Sequence, residues 1–301
     1  MIIETCEIDL ATDTGPMRVT LYEPAGKGRY PGLIFYSEIF QQTDPIRRVA
    51  SLLAGHGFAV AVPEIFHELN SIGTVLAYDD AGKDKGNADK SAKTLEAHDH
   101  DTNVLVDCLR GRAGCTGKVG AMGICIGGHL AFRAALNDGV LAASCFYATD
   151  LHADTLACKV GNGTLERCAE IGGELQLVWG RQDPHTPTEG RAKIYQALSA
   201  AEVDFTWHEF NAQHAFIRDE GPRYEFLAHL RGTRRIRRSL RRSWHDPGRW
   251  RAAGSVGPEC LRDGSGQRSG GARLPPGVRF VPAHAVHWGA SGRSRTPRHG
   301  N

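Results

Sequence analysis

Around residue 125 one pattern gives way to another with almost no room between them. Lys118 to Met122 predicts a short apolar strand, and a helical run starts at Ile126 and continues to about Asn137. The join is Gly123-Ile124-Cys125-Ile126-Gly127. A chain turns that sharply only if the central residue is held in a strained backbone conformation, with glycines on both sides so that neighbouring backbone can come close. Such a turn requires a buried strand with a helix packed over it, and so a sheet covered by helices.

The rest of the chain supports that requirement. Cys6 to Leu10 and Met17 to Tyr22 predict two short strands joined by a turn-like Thr-Asp-Thr-Gly, an antiparallel hairpin. Pro31 to Tyr36 is an apolar run bounded by turn residues. Pro45 to Gly55 has helical apolar spacing at Ile46, Val49, Leu52 and Leu53, and Phe58 to Pro63 has the continuous apolar character of a strand buried on both faces. After the elbow-like turn come strands at Ala142 to Tyr147, Glu174 to Trp179 and Asp204 to Phe210. Helices are expected near Asp99 to Arg110, at Thr188 to Ala200 and from about Arg223. Strands alternating with helices predict an α/β fold, a mostly parallel sheet with helices on both faces behind the N-terminal hairpin. Residues 67–97, polar and rich in Gly, Asp and Lys, read as a long surface excursion of the kind that can line a site.

Charge divides the chain in two. The formal net charge is +2, yet residues 1–230 carry 20 basic and 31 acidic groups, whereas 231–301 carry 16 Arg, no Lys and three acids. The first part is expected to be one folded domain. The second lacks either apolar period and is expected to be a disordered Arg/Gly-rich tail, either natural or the product of a reading-frame shift near codon 231. A nucleic-acid-binding arm is the weaker reading of the tail, and nucleic acid is not an expected partner. No run of about 18 apolar residues occurs, and the N-terminus lacks the basic-then-apolar order of a signal peptide, which points to a cytoplasmic protein with no membrane partner. The 8 Cys show neither CxxC nor Cys/His metal spacing, so no metal site, cofactor or disulfide framework is expected.

The turn at Cys125 is also where chemistry would start. Gly-x-Cys-x-Gly after a strand and before a helix is the nucleophile-elbow pattern with Cys in place of Ser. A thiol there faces the positive end of the following helix, which favours thiolate and offers the N–H of Ile126 to an oxyanion. A buried structural cysteine in a glycine turn is the plain alternative. Asp183, in Gly180-Arg-Gln-Asp-Pro, follows one predicted strand, and His214, in Asn211-Ala-Gln-His-Ala-Phe, follows the last. Alone, the first reads as a helix cap and the second as a surface histidine. Nucleophile, acid and base in that order, each past the end of a strand, suit a three-residue relay.

With these segments, and with Glu38-Ile39-Phe40 and His214-Ala-Phe-Ile-Arg218, residues 5–230 resemble the dienelactone hydrolase (carboxymethylenebutenolidase) family of the α/β-hydrolase superfamily. The resemblance implies a carboxylic ester hydrolase acting on a small ester or lactone, with Cys125, Asp183 and His214 as catalytic residues. It also implies Glu38 managing the cysteine proton, and the N–H groups of Ile39 and Ile126 forming the oxyanion hole. Arg218 would bind a substrate carboxylate, against the alternative of a surface salt bridge with Asp219 or Glu220. The family's second carboxylate-binding arginine has no counterpart within 78–90, where Lys83 or Lys85 could stand in. Monomer is the state the family implies. An esterase or thioesterase of the same fold, and a noncatalytic binding protein, stay open as alternatives.

Overall fold

The computed structural model describes residues 1–158, 163–229, 231–232 and 279–281. Expectations about the rest of 231–301 lie outside the described residues. β1 (Ile3–Thr12) and β2 (Gly15–Pro24) form the expected hairpin, with Thr12 opposite Gly15 and Gly15 at φ 124° closing the turn. Next come β3 (Tyr30–Tyr36), α1 (Asp44–Gly55), β4 (Ala59–Pro63), α2 (Asp80–Ala92) and α3 (Leu95–Gly111). β5 (Cys115–Ile124), α4 (Ile126–Ala134), β6 (Val140–Phe146), β7 (Glu174–Gly180), α5 (Thr188–Ala200) and β8 (Phe205–Phe210) complete the body. A three-residue strand, β9 (Arg279–Val281), pairs antiparallel with β1 at the sheet margin.

The strand order is β8-β7-β6-β5-β3-β4-β2-β1-β9, with β3 to β8 parallel and β2 antiparallel to β4. Alternate residues serve opposite faces, as the pleat requires. Leu33, Phe35, Val60, Val62, Met122 and Ile124 pack with α1 on one face. Ile34, Tyr36, Ala61, Val119 and Ala121 pack with α3, α4 and α5 on the other. The result is the α/β architecture expected, with helices on both faces.

In α1, Ile46, Val49, Ala50, Leu53 and Ala54 are buried, a helical stripe at i, i+3, i+4, i+7 and i+8. Full burial of each of its larger aliphatic side chains is worth about 1.5–3 kcal/mol. Leu52, counted with that stripe in the sequence, is 41% exposed on the outer side.

The stretch 67–97 departs from expectation, since α2 occupies its centre and α3 starts at Leu95. No apolar period announced α2 because its inward face is made of two glycines and Asp89. Gly82 and Gly86, one turn apart, are buried, and a β-carbon at either would stand 2.1 Å from the carbonyl oxygen of Ala77 or 2.6 Å from that of Ile39. Asp79 caps the helix by accepting from the N–H of Gly82 at 2.7 Å, and Thr94 caps α3 by accepting from Ala97 at 3.1 Å.

β4 and β5 flank β3 on opposite sides, so the chain leaves β3 in one direction and returns on the other. The loops beyond the carboxyl ends of β3 and β5 therefore diverge and open a crevice, the place where open α/β sheets bind ligands. Glu38 and Cys125 stand at those two ends.

Candidate active site

Cys125 has φ 58° and ψ −124°, a combination an L-residue adopts only under constraint. The constraint is close backbone packing on both sides. A β-carbon at Gly123 would stand 1.8 Å from the carbonyl oxygen of Gly127, and one at Gly127 would stand 2.3 Å from that of Tyr36. The N–H of Cys125 donates to Phe146 at 3.1 Å, while its carbonyl accepts from Gly128 at 3.0 Å and Thr149 at 3.2 Å. Held in this way, the side chain enters a cleft of about 690 Å³.

His214 and Asp183 reach the same cleft from the loops after β8 and β7. The Nδ1–H of His214 donates to Oδ2 of Asp183 at 2.7 Å, and the backbone N–H of His185 donates to Oδ1 at 2.8 Å. With Nδ1 committed to the carboxylate, the other ring nitrogen is left for Cys125, with which the imidazole shares a hydrogen bond. Burial opposes a charged His214 ring, but the adjacent Cys125 sulfur, the hydrogen bond to Asp183 and the carboxylate charge outweigh it and push His214 up to about 10. Burial would raise Asp183, and the hydrogen bond and charge of His214 instead hold it below the usual carboxylate range. Sulfur, imidazole and carboxylate thus form one line.

Glu38 is buried beside this line and accepts from the hydroxyl of Tyr78 at 2.5 Å, and Tyr78 shares a second hydrogen bond with Thr43 at 2.7 Å. Burial pushes the Glu38 carboxyl up, and the Tyr78 hydrogen bond and the Arg218 and His214 charges offset this only in part. Ile39 lies on the cleft wall. Ile126 is buried as the first helical residue of α4, where an N–H has no preceding helical carbonyl in reach.

Arg218 faces the cleft, its guanidinium carbon 4.2 Å from the centre of the Tyr78 ring. The salt bridge weighed for it goes elsewhere, because Asp219 and Glu220 both pair with Arg48 at 2.7 Å. Of the two lysines, Lys83 lines the cleft but pairs with Asp80 at 2.7 Å, whereas Lys85 pairs with Asp89 and is not on the cleft wall. The i, i+4 spacing of Lys85 and Asp89 on α2 is the reason, and it could not be read before the segment was known to be helical.

Tyr78, Lys90, Asp150, His152 and His185 also line the cleft and were not singled out in the sequence. Lys90 pairs with Asp150 at 3.0 Å. Tyr78 carried a usable signal as a lone aromatic in a polar stretch, but the others look like surface residues in sequence. Among the described residues no group of three His, Cys, Asp or Glu is placed to hold a metal ion, and no helix is long and apolar enough to cross a membrane.

Residues 17–242 match the model of the dienelactone hydrolase family. The chain is 41% identical over 231 residues to the "Putative carboxymethylenebutenolidase" of Saccharomyces cerevisiae, covering 73% of this chain and 84% of that protein. It is 26% identical over 200 residues to the carboxymethylenebutenolidase of Pseudomonas putida, covering 66% of this chain and 80% of the other. Its fold is similar to a crystal structure titled "Putative Dienelactone Hydrolase" from Klebsiella pneumoniae, with TM-score 0.65 and 20% identity over 80% of this chain and 99% of that one. The chain belongs to the dienelactone hydrolase family and, with it, to the carboxylic ester hydrolases.

Proposed function

We propose that Cys125 is the nucleophile of a hydrolase that opens a lactone or cleaves an ester in a small, carboxylate-bearing molecule. The observation that carries this reading is the line from Asp183 through His214 to Cys125, ending in a cleft large enough for such a molecule.

The Cys125 thiolate attacks the carbonyl carbon while His214 holds the proton. The oxygen of the tetrahedral intermediate is taken up by the N–H groups of Ile126 and Ile39. Collapse breaks the acyl C–O bond, and the alkoxide or enolate leaves with the proton from His214, so that Cys125 is acylated. Water then attacks the thioester, giving its proton to His214, and the thiolate is released with the acid. Asp183 keeps the ring in the tautomer both steps need. Glu38, with Tyr78 as its hydrogen-bond partner, is a second place to hold the cysteine proton before substrate arrives.

The carboxylate preference rests on Arg218. Its Nε is buried without a hydrogen-bond partner among the described residues, and its planar fork suits a carboxylate. The yeast and Pseudomonas proteins are both named for action on a carboxymethylene-substituted butenolide, which fits that preference. A broader esterase is the second reading, favoured by Lys83 being paired with Asp80 and Lys85 lying off the cleft. We take the protein to be a cytoplasmic monomer.

The deciding experiment incubates wild type and Cys125→Ala with an activated enol-lactone that carries a carboxylate, and with its methyl ester. Wild type should form a transient acyl-enzyme at Cys125 and turn over the acid faster than the ester. Equal turnover by Cys125→Ala would remove the nucleophile assignment, and equal rates on acid and ester would favour the broader esterase.

A further inference from the structure

The imidazole of His214 is held between two rings. Tyr147 meets it edge-on from the buried side, with centroids 4.9 Å apart and planes at 68°, and His185 meets it from the cleft side at 4.5 Å and 61°. Tyr147 is fully buried, whereas His185 is exposed on the cleft wall. His185 also donates its backbone N–H to Asp183, so one residue touches both the ring of His214 and the carboxylate that orients it. The contact follows from local sequence. The Asp183-to-His185 turn, closed by that N–H, sets residue 185 next to its own Asp, where the loop after β8 delivers His214.

We propose that His185 is a positioning residue for His214, and that a proton gained by its ring sets a second positive charge beside the His214–Cys125 pair that resists protonation of the thiolate; this rests on the reading of Cys125 and His214 given above. Residue 185 could serve as packing alone with any ring. A titratable ring does more, because it faces the group whose positive charge the thiolate needs. The charged groups facing it are His214 and Asp183, Arg223 from the segment beyond, and Asp150 from the loop after β6. His152 lies along the same wall.

Burial and the charge of His214 hold His185 below the ordinary histidine range, so it is neutral at neutral pH. In acid it takes up a proton and sets two imidazolium rings edge to face. Like charges at that separation disfavour each other; His214, raised to about 10, keeps its proton, so His185 bears the penalty, and its charge adds to that of His214 in opposing protonation of the Cys125 sulfur. The lower pH edge of thiolate reactivity then belongs in part to His185.

The test is the rate at which iodoacetamide alkylates Cys125 in the full chain between pH 4.5 and 9, followed by mass spectrometry of the Cys125 peptide. Wild type is compared with His185→Phe, which keeps a ring, with His185→Gln, which keeps polarity, and with His214→Ala. We expect the acid edge in both His185 variants to lie about half a pH unit or more above that of wild type. An edge that stays in place or moves down in whichever of the two variants folds overturns the proposal. If His214→Ala alkylates with the wild-type profile, the Cys125–His214 pair itself is wrong. A profile that depends on His214 but not on residue 185 removes only the positioning role.

Discussion

Gly180 lies so close to Ala212 that a β-carbon at 180 would stand 2.5 Å from the carbonyl oxygen of Ala212. That approach joins the loop carrying Asp183 to the loop carrying His214, and the N–H of Gln182 donates to the same carbonyl at 3.0 Å. Gly180→Ala should push the two loops apart and lengthen the Asp183–His214 hydrogen bond. Activity is expected to fall about 10²-fold, as misplacement by about 1 Å can cause, together with a loss of about 1–3 kcal/mol of stability because the obstructing atom is backbone. Activity within twofold of wild type would mean the loops can shift without moving the pair.

Asp183→Asn removes the acceptor that fixes the tautomer of His214 while keeping the size of the side chain. The expected loss in kcat is about 10³–10⁴-fold, with little change in KM, because the effect falls on the reacting groups and not on binding. A loss carried mainly by KM would place Asp183 in substrate binding instead.

Stability should follow pH through the same pair. The folded state raises His214 to about 10 from an ordinary value of 6.5, so its contribution is full below about 6.5 and is lost as pH rises through about 10. Asp183, held low, contributes above its unfolded value near 3.8 and loses that contribution as pH falls through its lower folded value. The thermal midpoint of wild type relative to His214→Gln should therefore be highest between about pH 4 and 6.5 and shrink toward pH 10. A difference that grows with pH has the opposite sign and would show that His214 is neutral in the resting protein.

Tyr78 and Glu38 share one hydrogen bond, so their substitutions should not add. Tyr78→Phe removes the phenol that favours the charged carboxyl, and Glu38→Gln removes the carboxyl. Each single change is expected to lower kcat/KM by about 10-fold to 100-fold, and the double variant to lose little more than the worse single one. Additive losses would separate the two residues functionally.

Arg218→Gln should raise KM for a carboxylate-bearing lactone by about 10-fold to 100-fold and leave that for its neutral ester nearly unchanged. Arg218→Lys keeps the charge without the fork and should recover only part of the loss. Equal effects on acid and ester would assign Arg218 to holding Tyr78 in place.

The hairpin, the alternation of strands and helices and the turn at Cys125 were legible because each is written in local pattern. α1 shows its apolar period, and Gly123 and Gly127 are spaced as the turn requires. Helix α2 was not legible, since its buried face is Gly82, Gly86 and Asp89, and two glycines and an acid leave no apolar period to read. The same hidden helix decided that Lys85 answers Asp89 and stays off the cleft, while Tyr78 reaches Glu38 from across it. Arg218 was ambiguous in sequence because Asp219 and Glu220 adjoin it, and the ambiguity ends only when Arg48 of α1 takes both acids.

Sequence alone determined which residues could react and the order in which the sheet would deliver them, because periodicity and glycine spacing act over a few residues. Which side chains meet depended on the crossing of the chain at β3, where loops far apart in sequence share one crevice. Contacts such as Tyr78 with Glu38 and His185 with His214 are made between separate loops at the carboxyl ends of neighbouring strands, and no local pattern encodes a distance between segments that only packing brings together.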